Sequence, residues 1–238
     1  MFRRIFPGHD PKYKSFFSQD MLKRNNLVLL TCLIILILFL PGISRDGRYL
    51  LVDIILSLII IASVSSLEFD KKTMKRLSYF GASTLLLIWI TNIVNYDIIK
   101  IISFIVLVCF FIYITLNMIT HIAQRRKVTA VTILNAINSY LLMGLIGSFL
   151  FAMTEIVHHY ILGYSTRAIQ FAAGSGSDFH DFIYFSFVTM TTLGYGDIIP
   201  ISSLAKSITI LVSISGQLYL AILVAMLVGK LLSNPDSK

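Results

Sequence analysis

The sequence predicts an all-α membrane protein: a four-helix bundle, then a two-helix module with a shorter, re-entrant helix between its two long ones. Three observations predict it. The 238-residue chain is 56% hydrophobic and only 13% charged, less charge than a water-soluble domain of this size carries. Its apolar residues gather into runs long enough to cross a bilayer, which takes about 20 residues of helix. Its Lys and Arg lie beside those runs, so the net charge of +8 reports membrane topology and not a nucleic-acid partner.

Residues 1–24 form a basic segment with Arg3, Arg4, Lys12, Lys14, Lys23 and Arg24. It reads either as a short helix lying on the membrane face or as a basic tail. A signal peptide is not expected, because the polar stretch is too long and no A-x-A-like site follows the first apolar run. Six membrane segments are expected over about 25–42 (ending at Pro41-Gly42), 49–67, 77–94, 98–123, 128–157 and 203–232. The half-spanning helix falls at about 181–191, with Asp178 or Asp181 as its N-cap. These elements divide the chain into a basic segment, a four-helix unit over 25–123, a second module over 124–232 and a short tail over 233–238.

Fifteen of the 20 Lys and Arg fall on the side of the two termini, which places both termini in the cytoplasm. The cluster Lys71, Lys72, Lys75, Arg76, Arg125, Arg126 and Lys127 reads as this topology signal, or as a site for anionic lipid. Asp53 is either a buried functional carboxylate in the second segment or, more simply, a group near the outer interface that pairs with Arg45, Arg48 or Lys100. Trp89, Asn92 and Asn95 read as interface anchors. Gly144, Gly147 and Ser148 allow close helix approach, and Asn135, Asn138 and Ser139 supply interhelical hydrogen bonds. Cys32 and Cys109 lie inside apolar runs and read as buried small hydrophobes.

One stretch between the last two runs carries chemistry. In Thr192-Leu193-Gly194-Tyr195-Gly196-Asp197, two glycines permit an extended backbone with unusual dihedrals. Such a backbone can aim successive carbonyl oxygens down one axis. The stretch resembles the selectivity filter of potassium channels, in which carbonyls replace the hydration shell of the ion. With four helices before it, the chain is similar to the six-transmembrane, single-pore-loop channel superfamily, of a small bacterial type without a charged voltage sensor. Leu193 stands where most of that family has valine.

The resemblance implies potassium coordination by Thr192, Leu193, Gly194, Tyr195 and Gly196, with the Thr192 hydroxyl added and Asp197 at the outer mouth. Tyr184 and Phe185 hold the places of a common Trp pair, and the Tyr184 hydroxyl is expected to support Asp197. Val188 replaces a glutamate found behind some filters. Gly216 takes a hinge position, with close packing against the pore helix as the simpler reading. Gln217 is expected to face the cavity, and Ile222, Ala225, Met226 and Gly229 to form an inner constriction. Glu155 is a brace for the outer pore, near His158 and His159. The loop 163–180, with Gly174 to Asp178, is the turret.

One filter per chain cannot surround an ion, so the resemblance implies a homotetramer. It also implies a bacterial plasma-membrane location, no cofactor beyond the transported K+, no structural metal and no enzyme activity. The fourth segment has no charged residue between Lys100 and His121, so strong voltage sensing is not expected. Only nine residues follow Gly229, and no ligand-binding domain is expected there. The alternatives are a weakly selective cation channel and a non-conducting regulatory membrane subunit.

Overall fold

The protein is an all-α membrane protein. The computed structural model describes residues 19–43, 49–67, 71–94, 97–125, 128–161, 163, 167–171 and 178–232. The basic tail before Gln19, Arg45, Arg48, Asn95, Arg126, Lys127, turret residues 172–177 and the tail after Leu232 lie outside the described residues. The helices are α1 (Gln19–Ile43), α2 (Tyr49–Ser65), α3 (Lys71–Ile93), α4 (Asp97–Gln124), α5 (Ala130–Ile156), α6 (Phe179–Met190) and α7 (Ser203–Leu232). A π-helical turn, Val157–Ile161, prolongs α5, and two-residue strands β1 (Ile169–Gln170) and β2 (Ile199–Pro200) flank α6. Among the described residues, four helices, α1, α4, α5 and α7, are long and apolar enough to cross a membrane. The 17-residue α2 is shorter, and α3 opens on Lys71, Lys72, Lys75 and Arg76.

Several boundaries differ from the sequence reading. Helix α1 begins at Gln19, inside the stretch read as a separate tail. Asn25 and Asn26 do not break it, because both amides find partners in the bundle. Asn25 Nδ2 donates to Ser65 O at 2.9 Å, and Asn26 Nδ2 donates to Ser66 O at 2.8 Å. The helix also carries through Pro41 and Gly42 to Ile43. Helix α6 starts two residues earlier than expected, at Phe179. Cys109 is exposed on α4 and not buried. A membrane helix is apolar on every face, so hydropathy does not separate the packed face from the lipid face.

Helix α5 is the hub. It packs against α1 and α4 on one side and against α6 and α7 on the other. Its N-terminus is closed by a capping box between Thr129 and Thr132. Lipid tails are as apolar as Leu, so close contact and hydrogen bonds, more than apolar burial, hold such helices together. Gly144 and Gly147 supply that contact. A Cβ on Gly144 would lie 2.4 Å from the Phe187 ring, and one on Gly147 would lie 2.3 Å from Ser186 Oγ. Ser186 Oγ donates to Gly144 O at 2.6 Å, so the small residues bring a hydroxyl onto a main-chain oxygen. Toward the four-helix unit, Phe149 of α5 stacks on Phe111 and meets the Phe104 edge, with ring centroids 5.9 and 5.2 Å apart.

The other end of the bundle is tied by polar groups. Asn138 Nδ2 on α5 donates to the main-chain oxygen and Oδ1 of Asn26, at 3.0 and 3.1 Å. Ser139 Oγ lies 2.6 Å from Tyr219 Oη on α7, and Tyr219 donates to Ala136 O at 2.7 Å. Lys230 Nζ, in the last turn of α7, donates to Ile122 O at 2.5 Å and Ala123 O at 3.2 Å. These are among the last carbonyls of α4, the negative end of its helix dipole.

The α6–α7 contact is close. At Gly216 a Cβ would lie 2.3 Å from Met190 Cγ and 2.5 Å from Met190 O. Close packing against Met190 thus gives this glycine a reason of its own. Gly216→Ala is expected to lower the thermal unfolding midpoint in detergent by an amount equivalent to about 1–3 kcal/mol, the usual cost of overpacking. Gly229→Ala, where nothing lies within 4 Å, should leave the midpoint unchanged or raise it, since alanine favours helix by about 1 kcal/mol.

Candidate functional site

The segment Thr192–Asp197 leaves the C-terminal end of α6 through a helix cap. Thr192 N donates to Thr189 O and Leu193 N donates to Val188 O, both at 3.0 Å. This pair of bonds, 5→2 and 6→1 around a left-handed residue, is a Schellman closure. The left-handed position is Thr192, at φ 62°. Glycine is the usual occupant, and a β-branched residue there is an outlier that stores about 1–3 kcal/mol of strain. Thr192 Oγ1 donates to Thr191 O at 2.6 Å.

The same sign of φ then recurs at every second residue. Gly194 has φ 55° and Gly196 has φ 82°, whereas Leu193 and Tyr195 have no positive φ. Alternating left- and right-handed residues turn successive N–H groups to one side of the chain and successive carbonyls to the other. A run of same-facing carbonyls is an oxygen ladder suited to a bare cation. The two glycines were legible as permissive positions. The third left-handed position was not, because threonine does not advertise it.

The segment is held from behind. Tyr184 Oη donates to Asp197 Oδ2 at 2.7 Å. Phe185, the next residue on α6, is buried against Phe151 of α5, with ring centroids 4.5 Å apart. Val188 is also buried. Beyond Asp197 the chain pairs as β2 with β1, Ile169 facing Pro200 and Gln170 facing Ile199. Ala168 O accepts from the amides of both Ile201 and Ser202, at 2.9 and 3.0 Å. On the other side, Glu155 Oε2 accepts from the amides of Ala168 and Ile169, at 3.0 and 3.2 Å. A carboxylate on α5 therefore holds the small ladder that anchors the exit of the segment. His158 and His159 lie on the π turn just after it.

At the start of α6, Asp178 occupies the N-cap position without a side-chain cap bond. Asp181 is buried in the first turn, with His180 Nε2 3.2 Å from its Oδ1. Asp181 N also donates to Asp178 O at 2.9 Å, so the two acids share the first turn. At the other end of α6, Gln217 Nε2 donates weakly to Met190 O at 3.4 Å. Gly216 and Gln217 thus meet the base of the segment. Met226 is half-buried and lies about 15 Å further along α7 at 1.5 Å per residue, so the structure does not bring it to the same place.

Among the described residues of one chain, nothing covers the near side of the segment. Residues Thr191 to Asp197 are all exposed, Leu193 at 59% and Tyr195 at 68%. A Cβ on Gly194 or Gly196 would meet nothing within 4 Å.

Two substitutions check this geometry in thermal unfolding experiments. Thr192→Gly should raise stability by about 1 kcal/mol, because it removes the left-handed strain. Tyr184→Phe should lower it by about 1 kcal/mol, the net worth of a partly solvated hydrogen bond.

Residues 140–233 match the family model described as ion channel. The chain is also 40% identical over 74 residues to the two-pore potassium channel 4 of Arabidopsis thaliana, an alignment that covers 31% of this chain and 26% of that relative. The chain thus spans about a quarter of the length of the curated relative it matches. No solved structure matches it. The family match takes in the second half of α5, α6, the Thr192–Asp197 segment and α7. Both findings support an ion channel family, and they point to a channel and away from an enzyme.

Proposed function

We propose that the protein is a potassium-selective channel. It conducts passively through a central pore made by four copies of the chain. The observation that carries this reading is the alternation of φ from Thr192 to Gly196 within the sequence TTLGYGD. The ion sites are the carbonyls of Thr192, Leu193, Gly194, Tyr195 and Gly196. Tyr184 and Asp197 support the outer mouth. The exposure of Leu193 and Tyr195 supports the homotetramer, because these side chains need a neighbouring copy to cover them. The C-terminal end of α6 carries partial negative charge and favours a cation beneath the filter. Gln217 lines the cavity, and the far half of α7 around Met226 forms the inner constriction, which closes by expelling water.

The bias of Lys and Arg supports termini in the cytoplasm and a filter mouth on the outside; the bacterial plasma membrane is what the family resemblance implies. Four helices before the pore module, two of which (α2 and α3) are not among those long and apolar enough to cross a membrane, make the six-segment plan of the same proposal. Helix α4 has no charge between Lys100 and His121, so the voltage dependence of opening is shallow.

Purified protein in planar bilayers tests this reading. The reversal potential should follow the potassium equilibrium potential under a potassium–sodium gradient, and Gly194→Ala should abolish the selective current. A reversal near zero in mixed ions would support a weakly selective cation channel, and steep activation by voltage would overturn the account of α4. Absence of flux from the purified chain, with Thr192→Gly equally silent, would support the non-conducting subunit.

A further inference from the structure

A second cavity lies away from the filter. Its volume is about 260 Å³, near the lower end of small-molecule pockets, about 300 Å³. It sits at the end of the four-helix unit where α2 and α4 begin, α3 ends and α6 starts. Its floor is apolar, made by Leu56, Ile88, Leu107 and Phe149. Its rim carries Asp53 of α2, Lys100 of α4 and Asp178 at the start of α6. Ser103 of α4 adds a hydroxyl.

Among the described lining residues, two carboxylates stand against one ammonium. Asp178 is the open member. It holds the N-cap position, with an extended backbone at φ −74° and ψ 154°, yet its side chain makes no cap bond. It is exposed, and it lines the cavity instead of closing its own helix. An apolar floor beneath a net-acidic rim is complementary to a small cation with an apolar body. The aromatic faces of Phe104 and Phe179, which also line the space, favour the same charge.

We propose that this cavity binds a small amphipathic ammonium, a protonated primary amine bearing one compact apolar group. The ammonium pairs with Asp178, and the apolar group rests on Phe149 and Leu107. Occupancy reaches the pore module directly. Asp178 and Phe179 are the first residues of α6, and the Phe179 ring lies 5.0 Å from that of Phe149. The residue at the other end of α6 is Met190, two positions before Thr192. A ligand held between α4, α5 and the start of α6 thus bears on the helix that presents the filter. This last step rests on the channel reading; the binding itself does not.

The test uses full-length protein in nanodiscs of zwitterionic lipid, with phenethylamine as the probe and calorimetric titration as the readout. Saturable binding of one probe per chain is expected. Asp178→Asn should weaken it at least tenfold, and Ser103→Phe, which fills the cavity, should remove it. Phenylpropionate, of similar size and opposite charge, should not bind. Unfolding midpoints of both variants near that of the parent chain make the comparison valid. Because ion flux is not measured, failure of the channel reading leaves this result intact. No saturable phenethylamine binding, binding unchanged in Asp178→Asn, or preference for phenylpropionate would each overturn the proposal.

Discussion

The left-handed threonine at the end of α6 is the constraint on which the rest depends. A helix that closes on glycine relaxes into its cap. Here Thr192 takes that place at φ 62°, and the chain must then hold two further left-handed residues in alternation. Such a backbone has no ladder of its own to support it, and its oxygens repel one another when they share a side. It persists only if its surroundings over-determine it. The bonds to Val188 O and Thr189 O fix its entry. Tyr184 holds its far end through Asp197, and the β1–β2 pair anchors the chain as it leaves toward α7.

That support reaches back to α5. Glu155 secures β1 near one end of this helix, and Gly144 and Gly147 let α6 settle on its middle. Ser139 meets Tyr219 of α7 toward its start. One helix thus sets the heights of both α6 and α7. The same helix carries Phe149, where the four-helix unit packs. The two parts share a continuous core in which Ile183 of α6 joins residues of α1 to α5. A second cluster, from Phe151 to Val212, includes Phe185 and Met190 of α6.

Much of this was legible in the sequence. Apolar runs located α4, α5 and α7 within about a turn, because in a membrane each backbone group must be satisfied inside its own helix, whereas α1 and α3 begin six residues before the segments expected from hydropathy. The stretch Thr192–Asp197 was legible because glycine at every second position marks a backbone that L side chains rarely adopt. The spacing from Tyr184 to Asp197 was legible too, since a helix followed by a tight return brings those residues together. The partners of Glu155 were not, for they are main-chain amides and leave no mark on residue type. Gly216 allowed both a bend and a close contact in the sequence, and only the position of Met190 shows the contact. The exposure of Cys109 was not legible either, because lipid and protein interior select the same residues.

The path from α4 to α5 is short. Gln124 ends one helix and Ala130 begins the next, so no lever arm lies between them. Lys230 supplies a different linkage, a cross-tie from the last turn of α7 to the last carbonyls of α4. Together with α5 it closes a triangle of struts at the end opposite the filter. A triangle resists shear where an open chain of helices folds at its joints. The tip of α7 therefore does not swing as a free end: to move outward it must carry α4 with it or leave an ammonium and two helix-end carbonyls to find water.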